Sequence, residues 1–571
     1  MSDTNKPSAV EIIKTASNYL RGEVAEQLVD GTDKFASDMT QLIKFHGSYQ
    51  QDNRDRRAEL RAQGKGKAID FMVRTRIPGG VLTSEQLLAE LDICDEIGNT
   101  TLRITSRQGL QLHGVLKSNL RQTIRRINAI QLTTLAACGD VERNVMCCPA
   151  PRKNNPVWDQ LQATALEIAN HLAPRSGAYH ELWLTDPDTG EKELAGGGKP
   201  DVEPIYGETY LPRKFKTAIA LPEDNCADIY SNDVGLLAIV GGDEIVGYNV
   251  AVGGGMGTTP SAEKTFPAIG SDMAFVAPDR LIDVVTAIVG VQRDFGNRSD
   301  RKVARMKYLI ADWGLARFKA KVEEYFGGPL EAPHDVKVHD HDDHMGWHEQ
   351  GDGRWWYGLN VENGRLVDRE GFRIKAALRE ICTTIAPGIR LTAHQGLLMT
   401  DVAPEDRNTI EEILRRHGVP LTRDISNARR WSMACVALPT CGLAVTESER
   451  ALPGVIDELD GEIERLGLTE ERFTIRMTGC PNGCARPYNS DIGLVGKTMG
   501  KYTVFLGGRV QGDRLNFLYK DLVPAEEVVT ELARVLAYFK DARQDGETLG
   551  DFCHRKGAED LLASTERYAT V

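Results

Sequence analysis

RITSRQGL, residues 103–110, returns as RLTAHQGL at residues 390–397, an interval of 287 residues. The same interval carries Arg143 onto Arg430, Met146 onto Met433 and Cys148 onto Cys435. A second ungapped match, at an interval of 258 residues, sets Phe215 against Phe473, Cys226 against Cys484, Tyr230 against Tyr488, Asp233 against Asp491 and Gly235 against Gly493. Similarity sustained at fixed intervals marks a duplicated unit rather than a local motif. The two halves are therefore expected to share one plan.

Around the first copy the pattern is that of a sheet. FMVRTRIPGG, from Phe71, places Arg74 and Arg76 on one face of a strand that ends in a Pro-Gly-Gly turn. Ser84 to Ile97 reads as a helix, and TLRITSRQGLQLHG, from Thr101, as one further strand. Arg103, Thr105, Arg107, Gln111 and His113 share its polar face, and Leu102, Ile104, Leu110 and Leu112 its apolar one. In LPRKFKT, residues 211–217, Lys214 and Lys216 also share a strand face. These three stretches hold no acidic residue. Cations converging without partners repel by roughly 4 kcal/mol per pair at 4 Å and an effective dielectric near 20, so an anion is expected among them.

Four thiols form two close pairs: Cys435 and Cys441 as C-x5-C in ACVALPTCG, and Cys480 and Cys484 as C-x3-C in TGCPNGCARPY, with 38 residues between the pairs. Short Gly- and Pro-containing loops let two thiols from each loop converge, as a cubane iron–sulfur cluster requires. Zinc pairs more often have two to four intervening residues, and disulfides are rare in a reducing cytosol. The spacing favours iron, with zinc and buried or disulfide-bonded cysteine as the alternatives. The first half keeps Cys148 and Cys226 but has Asn154 and Pro222 where Cys441 and Cys480 would map. Two ligands cannot hold a cubane, so the second half carries the cluster. The first half has Arg107 where the second has His394, together with the LPRKFKT lysines, and reads as the anion-binding half.

Other segments say less. With 69 Lys+Arg against 82 Asp+Glu the net charge is −13, which argues against nucleic-acid or anionic-membrane partners. No apolar run is long enough to span a membrane and no secretory leader is recognisable, so a cytoplasmic protein is expected. Residues 1–65 read as a charged surface extension, helical from Ala16 to Leu28 and without chemistry. Gly253, Gly254 and Gly255 end a strand and are read as offering backbone N–H groups to an anion or flat cofactor. Leu281, Val284, Val285, Ile288 and Val289 read as the core face of a helix, and Val523 to Tyr538 as helical. PHDVKVHDHDDHMGWHEQ, residues 333–350, suggests a metal site by its histidines, but its acidic, loop-like composition favours a solvated linker. No G-x-G-x-x-G stands between a strand and a helix, so electrons must come from a partner.

SMACVALPTC, TGCPNGCARP, the duplicated RITSRQGL and LPRKFKT together resemble the siroheme-containing sulfite and nitrite reductase family, from about Tyr19 to GDFCHRKG near the C-terminus. The resemblance implies an α+β fold with pseudo-two-fold duplication. Residues 66–136 and 348–422 would pair as one ferredoxin-like domain, beside related α+β domains at 137–347 and 423–571. It implies that Cys435, Cys441, Cys480 and Cys484 bind a 4Fe-4S cluster and that Cys484 is also the axial ligand of the siroheme iron. Arg103, Arg107, Gln111 and His113 match positions that hold siroheme carboxylates. Arg74, Arg143, Lys214 and Lys216 match positions that hold the substrate oxyanion; Arg76 is left unassigned. The implied reaction is six-electron reduction of sulfite to hydrogen sulfide in sulfate assimilation, with nitrite reduction to ammonia as the alternative. The implied donor is an NADPH-oxidising FAD/FMN flavoprotein subunit or ferredoxin. Trp431 stands where the family carries a small polar residue, so packing beside the cluster loop is expected to differ.

Overall fold

The computed structural model describes residues 6–175, 181–197, 202–259 and 262–568; residues 1–5 of the N-terminal extension lie outside them. Two five-stranded sheets mirror each other. One runs Ser48–Asp52, Ile69–Thr75, Leu110–Val115, Leu102–Ile104, Arg365–Leu366, and the other Gly346–Glu349, Trp355–Leu359, Leu397–Val402, Gly388–Leu391, Val81–Leu82. Each half thus lends a two-residue edge strand to the other's sheet. Gly80 and Gly364 make the exchange possible, at φ 77° and 75°. A Cβ on Gly80 would come within 2.4 Å of Leu391 O, and one on Gly364 within 2.1 Å of Ile104 O. Leu391 and Ile104 are themselves repeat equivalents. The helices Ser84–Glu96 and Ile374–Thr384 pack together across the two halves.

Beside two small two-stranded sheets, the other sheets run Ser271–Val276, Glu244–Val252, Val234–Gly241, Thr217–Ala220 in the first half and Ser432–Ala434, Ile475–Thr478, Ile492–Thr498, Lys501–Leu506, Phe517–Pro524 in the second. Their registers repeat at the interval read from the sequence. Thr217 pairs with Val234 as Ile475 pairs with Ile492, both parallel. Met146 bridges Ala218 as Met433 pairs with Arg476, so the 287- and 258-residue intervals meet in one geometry. Helix Leu281–Phe295 buries Leu281, Val284, Val285, Ile288 and Val289 as expected.

Several expectations are corrected. The extension is no appendage, because Ser48–Asp52 pairs with Ile69–Thr75 as the edge of the first sheet. Its expected helix is broken into Ala9–Ala16 and Val24–Gln27. Ser17 Oγ takes the Leu20 N–H at 2.9 Å, and Asn18, Tyr19 and Leu20 turn left-handed. TLRITSRQGLQLHG is a hairpin, since Thr105 Oγ1 accepts from Arg107 N and Gly109 N and folds Thr105 and Arg107 into the turn. Thr392 does the same for His394 and Gly396 in the second copy. Near the C-terminus the helix is Val528–Ala542, preceded by the strand Phe517–Pro524.

Candidate functional site

The hairpin still presents its polar face. Arg74 pairs with Gln111, Gln111 with Arg103, and Arg103 with Arg365, which makes one row across four strands. With its amide oxygen toward the guanidinium, Gln111 accepts from Arg74 Nε at 3.1 Å and Nη2 at 2.5 Å. His113 is buried beside Arg365, Arg103 and Arg74, and neither ring nitrogen has a hydrogen-bond partner. Burial, with these cations adding to it, holds its pKa well below the ordinary value. The row is not bare of acid: Glu449 holds Arg103 at 2.8 Å and Arg365 at 2.6 Å. The expectation that these arginines lack carboxylate partners is therefore corrected for Arg103, whose partner lies 346 residues away. Arg365 went unread because it belongs to the other half of the sequence.

Arg74, Arg143, Lys214 and Lys216 differ. Arg74 Nη1 donates to Ala137 O at 3.3 Å and Cys138 Sγ at 3.1 Å. Arg143 donates to the same Ala137 O at 3.2 Å and to Gly139 O at 2.8 Å, so both guanidiniums converge on one carbonyl. Lys214 and Lys216 flank the buried Phe215, which bridges Glu142 just ahead of Thr217–Ala220. No hydrogen bond or ion pair is made by either ammonium, or by the neighbouring Arg213, among the described residues. Burial first and Arg213 second lower the Lys214 pKa to about 7, against the opposing Cys484 thiol. Lys216 is pushed well down by burial, then by Lys214 and Arg107. Arg76 does not join them, because its guanidinium turns to Ala169 O at 2.7 Å.

Arg107 is engaged by Asn232 Oδ1 at 2.6 Å and Asn144 O at 2.5 Å. Its turn lies against the second cysteine loop: Ser106 Oγ donates to Cys484 O at 3.0 Å, and Arg486 Nη1 to Ser106 O at 2.8 Å. The glycine run is corrected in part, because Gly253 N is bound to Asp233 O and Gly255 N to Ala268 O. Gly254 serves packing, since its Cβ would meet Tyr230 O at 2.2 Å. The run reaches the cysteine loop through Thr258 N, which donates to Pro481 O at 2.9 Å.

Cys435, Cys441, Cys480 and Cys484 come together at the end of the fourth sheet. Each of the first three feels the Cys484 thiol, and Cys484 is the exposed member. Burial, more than this mutual repulsion, raises the Cys435, Cys441 and Cys480 thiols, so they keep their protons until a bound metal centre displaces them. Four thiols from two short loops suit a cluster in which each thiolate has its own iron. Arg54, from the extension, clamps the first loop: it donates to Ala444 O at 2.5 Å and Cys441 O at 3.4 Å, and its N–H to Pro439 O at 3.1 Å. Only the fold brings Arg54 there.

In the second half the equivalent cations are answered by carboxylates. Arg472, the counterpart of Lys214, meets Asp340 at 3.1 Å, and Arg430, the counterpart of Arg143, meets Asp343 at 2.8 Å. His394, the counterpart of Arg107, lies with Nε2 at 2.7 Å from His341 Nε2. Trp431 packs on His341 at 5.6 Å between ring centroids and beneath Arg472, which accounts for its large side chain. The reading of residues 333–350 as a solvated linker is corrected: His341, Asp343 and His344 are buried. At the junction of the halves Asp228 and Arg486, equivalent left-handed residues, pair at 2.5 Å.

No helix among the described residues is long and apolar enough to cross a membrane. The model of the nitrite and sulphite reductase 4Fe-4S domain matches residues 138–330 and 426–571, and that of the nitrite/sulfite reductase ferredoxin-like half domain residues 62–130 and 348–417. The chain is 44% identical to "Sulfite reductase [ferredoxin]" of Synechococcus elongatus, covering 100% of this chain and 93% of that protein. It is 45% identical to "Sulfite reductase [NADPH] hemoprotein beta-component" of Myxococcus xanthus, covering 98% of each. The solved structure of the Mycobacterium tuberculosis NirA protein superposes with a TM-score of 0.79 at 25% identity, over 97% of this chain and 98% of that one. With cluster thiols, paired half domains and full-length relatives in agreement, the chain belongs to the nitrite and sulphite reductase family.

Proposed function

We propose that the protein reduces sulfite to hydrogen sulfide on the first-half side of the duplicated fold. One observation carries this reading: among the described residues Arg143, Lys214 and Lys216 have no carboxylate partner, whereas Asp340 and Asp343 neutralise the equivalents of Lys214 and Arg143 in the second half. Unneutralised cations attract an oxyanion more strongly than paired ones do. Cys435, Cys441, Cys480 and Cys484 would hold the 4Fe-4S cluster, with Cys484 shared with the siroheme iron. Arg103, Arg107, Gln111 and His113 would face the siroheme carboxylates, within a basic wall braced by Glu449. When bound, the two coupled groups supply single electrons to the substrate sulfur.

This chain's residues bind and protonate. Arg74 and Arg143 present planar donors to the oxyanion, and Lys214 and Lys216 act as point charges. With its pKa near 7, Lys214 is matched to hand protons to a departing oxygen near neutral pH, and an arriving anion raises its proton affinity. We assign residues 66–136 and 348–422, 137–347 and 423–571 to the three parts of the fold, with Ser48–Asp52 joining the first. The electron donor is assigned as an NADPH-oxidising flavoprotein subunit or ferredoxin, since the names of relatives carry NADPH in some and ferredoxin in another, and the location as cytoplasmic. The test is kcat/KM for sulfite and nitrite with one artificial electron donor. Sulfite, largely dianionic near neutral pH, should be preferred over singly charged nitrite, with the gap narrowing in Lys214→Met. A nitrite preference in the unaltered protein would refute the assignment.

A further inference from the structure

The two cysteines that the first half kept are not idle. Cys148 and Cys226, the equivalents of Cys435 and Cys484, stand with Asp224 and His344 so that one donor atom from each lies within 4.8 Å of the other three. All four residues are buried to 2% exposure or less. We propose that these side chains bind a single zinc ion, in the first-half position equivalent to the cluster of the second half.

The geometry argues for a metal over a hydrogen-bonded knot. His344 Nε2 lies 3.3 Å from Cys148 Sγ and 3.1 Å from Asp224 Oδ2. Tetrahedral zinc, with bonds of about 2.0–2.3 Å, has donor-to-donor edges of about 3.3–3.8 Å. A single ring nitrogen is thus shared between a sulfur and a carboxylate, and among the described residues Asp224 Oδ2 is a buried oxygen with no hydrogen bond of good geometry. The other oxygen, Oδ1, is fixed by Cys226 N at 3.0 Å and Asp342 N at 3.2 Å. Behind the ring, Asp342 Oδ2 stands 3.5 Å from His344 Nδ1, the order carboxylate, imidazole, metal that orients histidine ligands. His344 is held at φ 60°, with its N–H on Asp342 Oδ1 at 3.0 Å. Two sulfurs, one imidazole and one carboxylate suit zinc, and four protein donors leave no open position, so the site is structural rather than catalytic. The thiols lose their protons as the metal binds.

Three separate segments meet at this ion: the loop after Met146, the turn after Thr217–Ala220, and the crossover that leads into Gly346–Glu349. The crossover is the segment whose Asp340 and Asp343 pair with Arg472 and Arg430, so the ion would staple that segment in place.

Tag-free holoenzyme, dialysed against EDTA, is to be analysed for metals by mass spectrometry and by X-ray absorption at the zinc edge. The expected result is about one zinc per chain in addition to iron, with sulfur scatterers in its first shell. Cys148→Ser/Cys226→Ser should lose the zinc and keep its iron and visible spectrum. Iron-replete protein with less than about a tenth of a zinc per chain overturns the proposal, and so does zinc bound by nitrogen and oxygen alone. Zinc retained by the double variant overturns it as well. If the double variant does not fold, the metal content and edge spectrum of the unaltered protein decide the matter.

Discussion

Replacing Arg54 by Met should shorten the life of the iron–sulfur cluster without touching a ligand. Arg54 is half-buried, and its guanidinium is 2.5 Å from Ala444 O and 3.4 Å from Cys441 O, on the loop that carries Cys441. Methionine keeps much of the side-chain volume, so the change removes the charged donors and leaves the Arg54 N–H on Pro439 O. A hydrogen bond from a charged group contributes about 1.5–3 kcal/mol. At 1.4 kcal/mol per tenfold, the open form of the loop should become about 10- to 150-fold more populated. If loop opening precedes iron release, the cluster should be lost faster by that factor in the presence of a chelator. The assay is decay of the visible absorption under anaerobic conditions with excess chelator, with iron and acid-labile sulfide measured in parallel. Arg54→Lys, which retains a charged donor, should fall between. Equal decay in Arg54→Met and the unaltered protein would refute the reasoning, because the clamp would then bear no load.

Three further outcomes are expected. Cys441→Ser should abolish the cluster, while Cys148→Ser should leave cluster iron and sulfide nearly intact; equal losses would overturn the asymmetry between the halves. Lys216→Met should lower sulfite turnover far more than siroheme content, and normal turnover would remove Lys216 from the chemistry. Glu90, whose Oε1 accepts from Thr75 Oγ1 at 2.6 Å, has its carboxyl raised by burial from 4.5 to about 7. The fold therefore holds a proton there that the unfolded chain releases, a contribution present below pH 4.5 and lost as pH rises through about 7. By pH 8 the buried charge costs about 3 kcal/mol at 1.4 kcal/mol per pH unit, so Glu90→Gln should raise Tm at pH 8 more than at pH 5. Calorimetry at the two pH values checks this, and a rise no larger at pH 8 would count against it.

The sequence by itself determined the duplication and singled out the four thiols and the half proposed to carry the cluster, because these rest on identity at fixed intervals and on ligand chemistry that two short loops can display. It also determined the polar face of Arg103, Gln111 and His113, since alternation along a strand survives the hairpin that splits it. Only the tertiary structure decided where the charges are answered. Glu449 reaches Arg103, Asp340 and Asp343 reach Arg472 and Arg430, and Arg54 reaches the Cys441 loop, all across distances along the chain that no local pattern encodes. The same holds for residues 341–345, whose composition is that of a solvated loop but whose His341, Asp343, His344 and Met345 are buried. A composition reports what a segment costs to bury; whether the partners that offset that cost are waiting is fixed by the fold.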